Sequence, residues 1–148
     1  MNIWEKLCRE AEKYYRPGEI SPFLWGHNVV SAIETESGKI FTGYCIEGAS
    51  GVMNLCAERA AAVNMLTNSD ETVVRRIVAF RDKFPTSELP ASDFLPCGAC
   101  REFFMQLNIK NKNTEILIDL PTRKTITLGE LLPHWWGERR YAEKEDET

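Results

Sequence analysis

Three cysteines and one glutamate stand out by their spacing. Cys97 and Cys100 form a Cys-x-x-Cys pair within Pro96-Cys97-Gly98-Ala99-Cys100-Arg101. Cys56 lies 41 residues before Cys97 and is followed two residues on by Glu58. A Cys-x-x-Cys pair is half of many zinc sites. A redox dithiol is its rival, but that reading leaves Cys56-Ala57-Glu58 unexplained. Three protein ligands with a fourth position open are the pattern of catalytic zinc, where water becomes acidic with a pKa of about 7. Three thiolates carry more negative charge than one zinc ion neutralises. Two helix N-termini would offset the excess, and so would the guanidinium of Arg59 beside the thiolates. Glu58, in the first turn after a ligand, can reach the water without ligating and carry its proton to a substrate nitrogen. Acidified water with a proton carrier suits hydrolytic removal of an amine from an aromatic ring. The competing reading is a closed structural zinc site, with Cys45 or His27 as fourth ligand and no open position.

The elements that must hold these groups are readable in outline. Apolar residues at helical spacing predict a helix over 2–15, ended by Arg16-Pro17-Gly18. "EISPFLWG" reads as an irregular loop. "HNVVSAIET" and "KIFTGYCI" read as strands joined by a turn at Glu36-Ser37-Gly38. An alanine-rich helix follows from Leu55, and "TVVRRIVAF" is a β-branched strand. A polar, proline-punctuated loop leads to a helix with Pro96 near its first turn. "TEILIDL" is a further strand, and "TITLGELLPHWW" begins extended and becomes a short helical turn. This order predicts an α/β fold: a three-layer α/β/α sandwich around a mixed five-stranded sheet. In such folds ligands sit where helix N-termini meet strand ends.

A chain of 148 residues suits one domain, 1–148, with a catalytic core over about 20–137 and a charged, frayed tail over 138–148. The net charge of −4 and the absence of a basic stripe argue against a nucleic-acid substrate. Five cysteines, an odd number, argue against a disulfide framework. No signal peptide or apolar run of membrane-spanning length is visible, which predicts a cytoplasmic protein.

Cys56-Ala57-Glu58-Arg59 together with Pro96-Cys97-Gly98-Ala99-Cys100-Arg101 resembles the cytidine deaminase family, in its small homotetrameric form with three cysteine ligands. "GKIFTG" and "GELLPHWW" are similar to further family segments. The resemblance implies zinc held by Cys56, Cys97 and Cys100, with Glu58 as proton shuttle and Arg59 and Pro96 in support. It implies hydrolysis of cytidine, deoxycytidine or a related aminopyrimidine nucleoside to release ammonia, in pyrimidine salvage. Substrate contacts would be Glu47, Cys45, His27, Ala57 and, reaching a neighbouring subunit's site, Trp136. A homotetramer is implied, with a dimer as the alternative.

The sequence departs from the family pattern at the sugar end. Cys45 stands where the family has asparagine, His27 where it has phenylalanine, Val30 where it has glycine, and Glu102 where it often has glutamine. A thiol is a weak hydrogen-bonding group. The same chemistry on a non-standard substrate, such as blasticidin S or another aminated heterocycle, is therefore a second expectation.

Overall fold

The computed structural model describes residues 1–147. The sheet contains six strands: β1 (Gly18–Ser21), β2 (Leu24–Thr35), β3 (Ile40–Gly48), β4 (Val74–Phe80), β5 (Glu115–Asp119) and β6 (Lys124–Thr127). β2 pairs antiparallel with β1, β3 and β4; β4 and β5 are parallel, and β6 closes the far edge antiparallel to β5. The expected five-stranded sheet is thus corrected to six. The additional strand, β1, lies in the segment read as a loop, and β2 begins three residues before His27. Pro22 interrupts the pattern between β1 and β2, and Ile20, Phe23 and Trp25 are exposed, so no buried face marks these residues as strand. β1 and β4 share one edge of β2, β1 along its start and β4 along its later half, while β3 takes the other edge.

Strand alternation splits the core in two. On one face, Val30, Ala32, Val78, Phe80 and Leu117 pack against Trp4, Leu7, Cys8 and Ala11 of helix α1 (Ile3–Glu12). On the other, Ile33, Ile77 and Ile116 pack against helices α2 (Ala57–Asn68) and α3 (Gly98–Leu107), through Ala61, Ala62, Met65, Phe104 and Met105. This is the expected three-layer sandwich. A short helix, α4 (Leu128–Leu131), follows β6. The last helix, α5 (Glu138–Glu147), occupies most of the segment read as a frayed tail. The Tyr141 hydroxyl donates to the Met105 carbonyl at 2.8 Å, and the Tyr141 ring lies against Trp135, which ties α5 to α3. Thr148 lies outside the described residues.

Two local features set the position of α2. A Cβ added at Gly43 would come within 2.3 Å of the Ala61 nitrogen and 2.7 Å of the Ala57 carbonyl oxygen. The first turns of α2 therefore lie directly on the backbone of β3, an approach open only to glycine. After β3, the chain makes a short 3₁₀ turn (Gly51–Met53) and returns: Ile46 and Leu55 exchange both backbone hydrogen bonds, each at 2.9 Å. The Asn54 side chain closes this loop by accepting from the Gly48 amide at 2.8 Å.

Candidate active site

Cys56 and Cys97 occupy the N-cap positions of α2 and α3, and neither caps its helix with its side chain. α3 begins at Gly98, so Pro96 precedes the helix instead of opening it. Its carbonyl accepts from the Arg101 Nε at 2.8 Å, which fixes the turn before the helix. Cys100 lies one turn into α3 and is fully buried. The three sulfurs lie within 4.8 Å of one another, with Cys56 and Cys97 at 3.4 Å and Cys97 and Cys100 at 3.6 Å. Tetrahedral zinc with sulfur bonds of about 2.3 Å requires sulfurs about 3.8 Å apart. The cluster fits that ion with little movement, and its thiol chemistry suits it.

The electrostatics of the free thiols show what a cation would relieve. Burial pushes Cys56 up, opposed by the Arg59 guanidinium, whose Nη2 donates to its Sγ at 3.5 Å. Burial and the nearby Glu58 charge push Cys100 up. Cys97 is lowered: burial alone would raise it, but the Cys100 and Ala99 amides and the two neighbouring thiols outweigh that. Arg59 is raised, first by its bond to Cys56, so it stays charged beside the sulfurs. Its Nε is buried without a hydrogen-bond partner.

Glu58 is the buried acid of the site, 5% exposed. Burial raises its pKa, opposed by its own backbone amide and by Arg59. A carboxyl held above its ordinary range exchanges protons more readily near neutrality.

Cys56, Cys97 and the acid open onto one cavity of about 600 Å³, a size suited to a small-molecule ligand, while Cys100 is buried behind them. Cys56, Cys97, Ala57 and Glu58 form its floor, and Cys45, Ile46, Glu47, Asn54 and Leu55 form one side. Expected site residues Cys45, Glu47 and Ala57 therefore line it. Cys45 and His27 both stand outside the thiol cluster, so neither closes the site as a fourth ligand.

His27, an expected substrate contact, is not among the residues that line the cavity. The cause is a bulge: between Gly26 and Val30, three residues of β2 face the single residue Cys45 of β3. His27 there takes φ +65°, its ring stacks on Tyr44 with centroids 3.5 Å apart, and its Nδ1 donates to the Tyr14 carbonyl at 2.8 Å. The bulge presents Val29 to the cavity instead. It also ties down the Cys45 thiol, which donates to Asn28 Oδ1 at 2.6 Å and accepts from the Val29 amide at 3.3 Å. Trp136 likewise does not line the cavity of its own chain. Its Nε1 donates to Glu102 at 3.0 Å, beside Trp135, which also donates to Glu102.

Sequence reading missed the other wall of the cavity, formed by Arg81, Asp82, Lys83, Leu89, Ser92 and Asp93. The signal was the length of the connection, since long loops inside compact domains are commonly functional.

A family model described as the cytidine and deoxycytidylate deaminase zinc-binding region matches residues 4–115. A probable cytidine deaminase of Dictyostelium discoideum is 29% identical over 121 residues, covering 79% of this chain and 74% of that protein. A cytidine deaminase of Mycobacterium tuberculosis is 31% identical over 109 residues, covering 74% of this chain and 72% of that protein. Among solved structures, cytidine deaminase from Mycobacterium tuberculosis superposes with a TM-score of 0.66 at 24% identity, covering 93% of this chain and 99% of that one. The cytidine deaminase from Bacillus anthracis gives 0.64 at 21% identity, covering 99% and 98%. At these identities the superpositions speak for the fold.

Proposed function

The chain belongs to the cytidine and deoxycytidylate deaminase family, and we propose that it hydrolyses the exocyclic amine of cytidine, deoxycytidine or a related aminopyrimidine nucleoside, releasing ammonia. The observation that carries this reading is the buried Glu58 in a cavity that it shares with Cys56 and Cys97, two of the three clustered thiols at two helix starts.

Cys56, Cys97 and Cys100 would hold zinc, which supplies a Lewis acid with an open position that acidifies water. The helix N-termini at Cys56 and Cys97 and the charged Arg59 stabilise the thiolate form of these ligands. Glu58 takes one proton from the attacking water and delivers it to the ring nitrogen; once the oxygen has bonded to the carbon, Glu58 carries that oxygen's remaining proton to the amine, the C–N bond breaks and ammonia leaves. Water is the only co-substrate, and the amine-bearing carbon ends as a carbonyl. Glu47, near the end of β3, would accept from a sugar hydroxyl; its place in the cavity lining beside Cys45 and Val29 supports that reading.

A second substrate class, a non-standard aminated heterocycle such as blasticidin S, has support at the same place. The bulge and the tethered Cys45 thiol give the sugar side of the cavity no free side-chain amide from position 45.

A homo-oligomer, tetramer or dimer, belongs to this proposal. Ile20, Phe23, Trp25, Val52 and Met53 are exposed apolar side chains suited to burial against another copy. A cytoplasmic setting and a salvage role belong to it as well; reduced thiols suit a reducing compartment, and no helix among the described residues is long and apolar enough to cross a membrane.

The test is to incubate zinc-loaded protein with cytidine and deoxycytidine, following the ultraviolet change and released ammonia. Turnover supports the pyrimidine reading. Ammonia from another aminated heterocycle alone would move the substrate and keep the chemistry, and none from any substrate would overturn the proposal.

A further inference from the structure

The cavity wall formed by the end of β3 and the loop after it holds few side chains that can hydrogen-bond. Ile46 and Leu55 are apolar, and the Cys45 thiol is spent on Asn28 and the Val29 amide. Two polar side chains remain on this wall, Glu47 and Asn54. An ionised carboxylate only accepts, so a side-chain donor on this wall must come from Asn54.

The fold fixes how Asn54 presents its carboxamide. Its Oδ1 accepts from the Gly48 amide at 2.8 Å. An N–H can be met only by the oxygen of a carboxamide, so this bond settles which way the group is turned. That N–H belongs to the peptide joining Glu47 to Gly48, so the carboxamide is held against the backbone of Glu47 itself. The main chain of Asn54 is held as well. Its amide donates to the Gly51 carbonyl at 3.2 Å, and the next residue, Leu55, exchanges two hydrogen bonds with Ile46, each at 2.9 Å. Among the described residues, Asn54 Nδ2 donates to no protein atom. The oxygen closes the loop, while the NH₂ group takes no part in the fold and belongs to a side chain that lines the cavity.

Resting on the deaminase reading, we infer that Asn54 is a specificity-determining residue: its Nδ2 donates to a sugar hydroxyl whose own proton goes to Glu47. A hydroxyl is donor and acceptor at once, so a fixed N–H and a carboxylate on one wall match both of its sides. A hydrogen atom in place of that hydroxyl leaves both protein groups without their partner, which is the condition for strong discrimination. The amide of this wall then sits at position 54, carried by the loop, where position 45 supplies only a tethered thiol. Its place is two residues before Cys56, so one short segment joins the group that reads the sugar to the floor of the cavity.

The experiment measures kcat/KM of the zinc-loaded protein for cytidine, 2′-deoxycytidine, 3′-deoxycytidine and 2′,3′-dideoxycytidine. Asn54→Asp keeps an oxygen for the Gly48 amide and removes the donor, whereas Asn54→Ala removes both. The wild type should prefer cytidine over the dideoxy compound by more than about tenfold, and the monodeoxy compound with the larger loss identifies the hydroxyl. In Asn54→Asp that preference should fall by about tenfold, mainly through KM, and Asn54→Ala should show a similar fall. Each preference is a ratio taken within one protein, so a sample that is partly folded or short of zinc does not imitate the loss. A wild type without the preference overturns the inference and leaves the deaminase reading intact. So does a preference kept in Asn54→Asp and lost only in Asn54→Ala, which would reduce Asn54 to a tether for the loop. No ammonia from any of the four compounds overturns the inference and the nucleoside reading together.

Discussion

The floor of the cavity and its rim are built by different means. The floor comes from regular structure: two helix N-caps carry Cys56 and Cys97, Glu58 and Cys100 sit on the first turns, and Gly43 lets α2 rest on β3. The rim comes from irregular backbone: a bulge at His27–Val29, a loop returned by the Ile46–Leu55 bridge, and the anchored segment after β4. Regular elements hold a few groups in one geometry, which bond-making chemistry requires. Irregular segments can change their side chains without disturbing that geometry, so recognition can vary while the reaction stays.

If the floor holds the metal and the rim does not, cysteine substitutions should divide sharply. Cys100→Ala should lose bound zinc and all turnover, while Cys45→Ala should keep the metal and alter substrate preference; metal analysis of both purified variants checks this. Loss of zinc from the Cys45 variant would break the comparison.

Gly43→Ala tests whether the floor depends on close packing. The new methyl would meet helix backbone, which cannot step aside as a side-chain tip can. The expected loss is at the upper end of the about 1–3 kcal/mol that overpacking typically costs, read as a lowered Tm together with weaker zinc retention. A lowered Tm with unchanged zinc affinity would show that Gly43 stabilises the sheet without positioning Cys56.

The smallest effect is expected at the rim. His27→Ala keeps a backbone at φ +65° but loses the Tyr44 stack and the Tyr14 hydrogen bond. A loss of about 1–2 kcal/mol follows, with KM changing more than kcat because the bulge shapes Val29 and Cys45. Equal changes in both kinetic constants would place His27 nearer the chemistry than its position suggests.

The same division explains what the sequence makes legible. The three-cysteine cluster and Glu58 are visible because helix starts fix the spacing of side chains in sequence as in space. The three-layer sandwich is visible because β2, β4 and β5 alternate between two buried faces. β1 escapes because its side chains have no consistently buried face. The setting of His27 is not legible because a bulge breaks strand parity, and nothing in His27-Asn28-Val29 announces the register shift. Arg81 and Lys83 look like a solvated charged loop, and only the anchoring through Pro85 and Ser87 brings them to the cavity. α5 reads as a tail because its helical tie to the body depends on one aromatic, Tyr141, in a charged segment.

The most direct test of the central claim is Glu58→Gln, a change that keeps the size of the side chain and removes its ability to carry a proton. Zinc content and ammonia release would be measured side by side, using the cytosine nucleoside that the wild type turns over fastest. The expected result is zinc bound as in the wild type, with kcat reduced by about 10²- to 10⁴-fold. Wild-type turnover in that variant would contradict the role of Glu58 as the proton carrier.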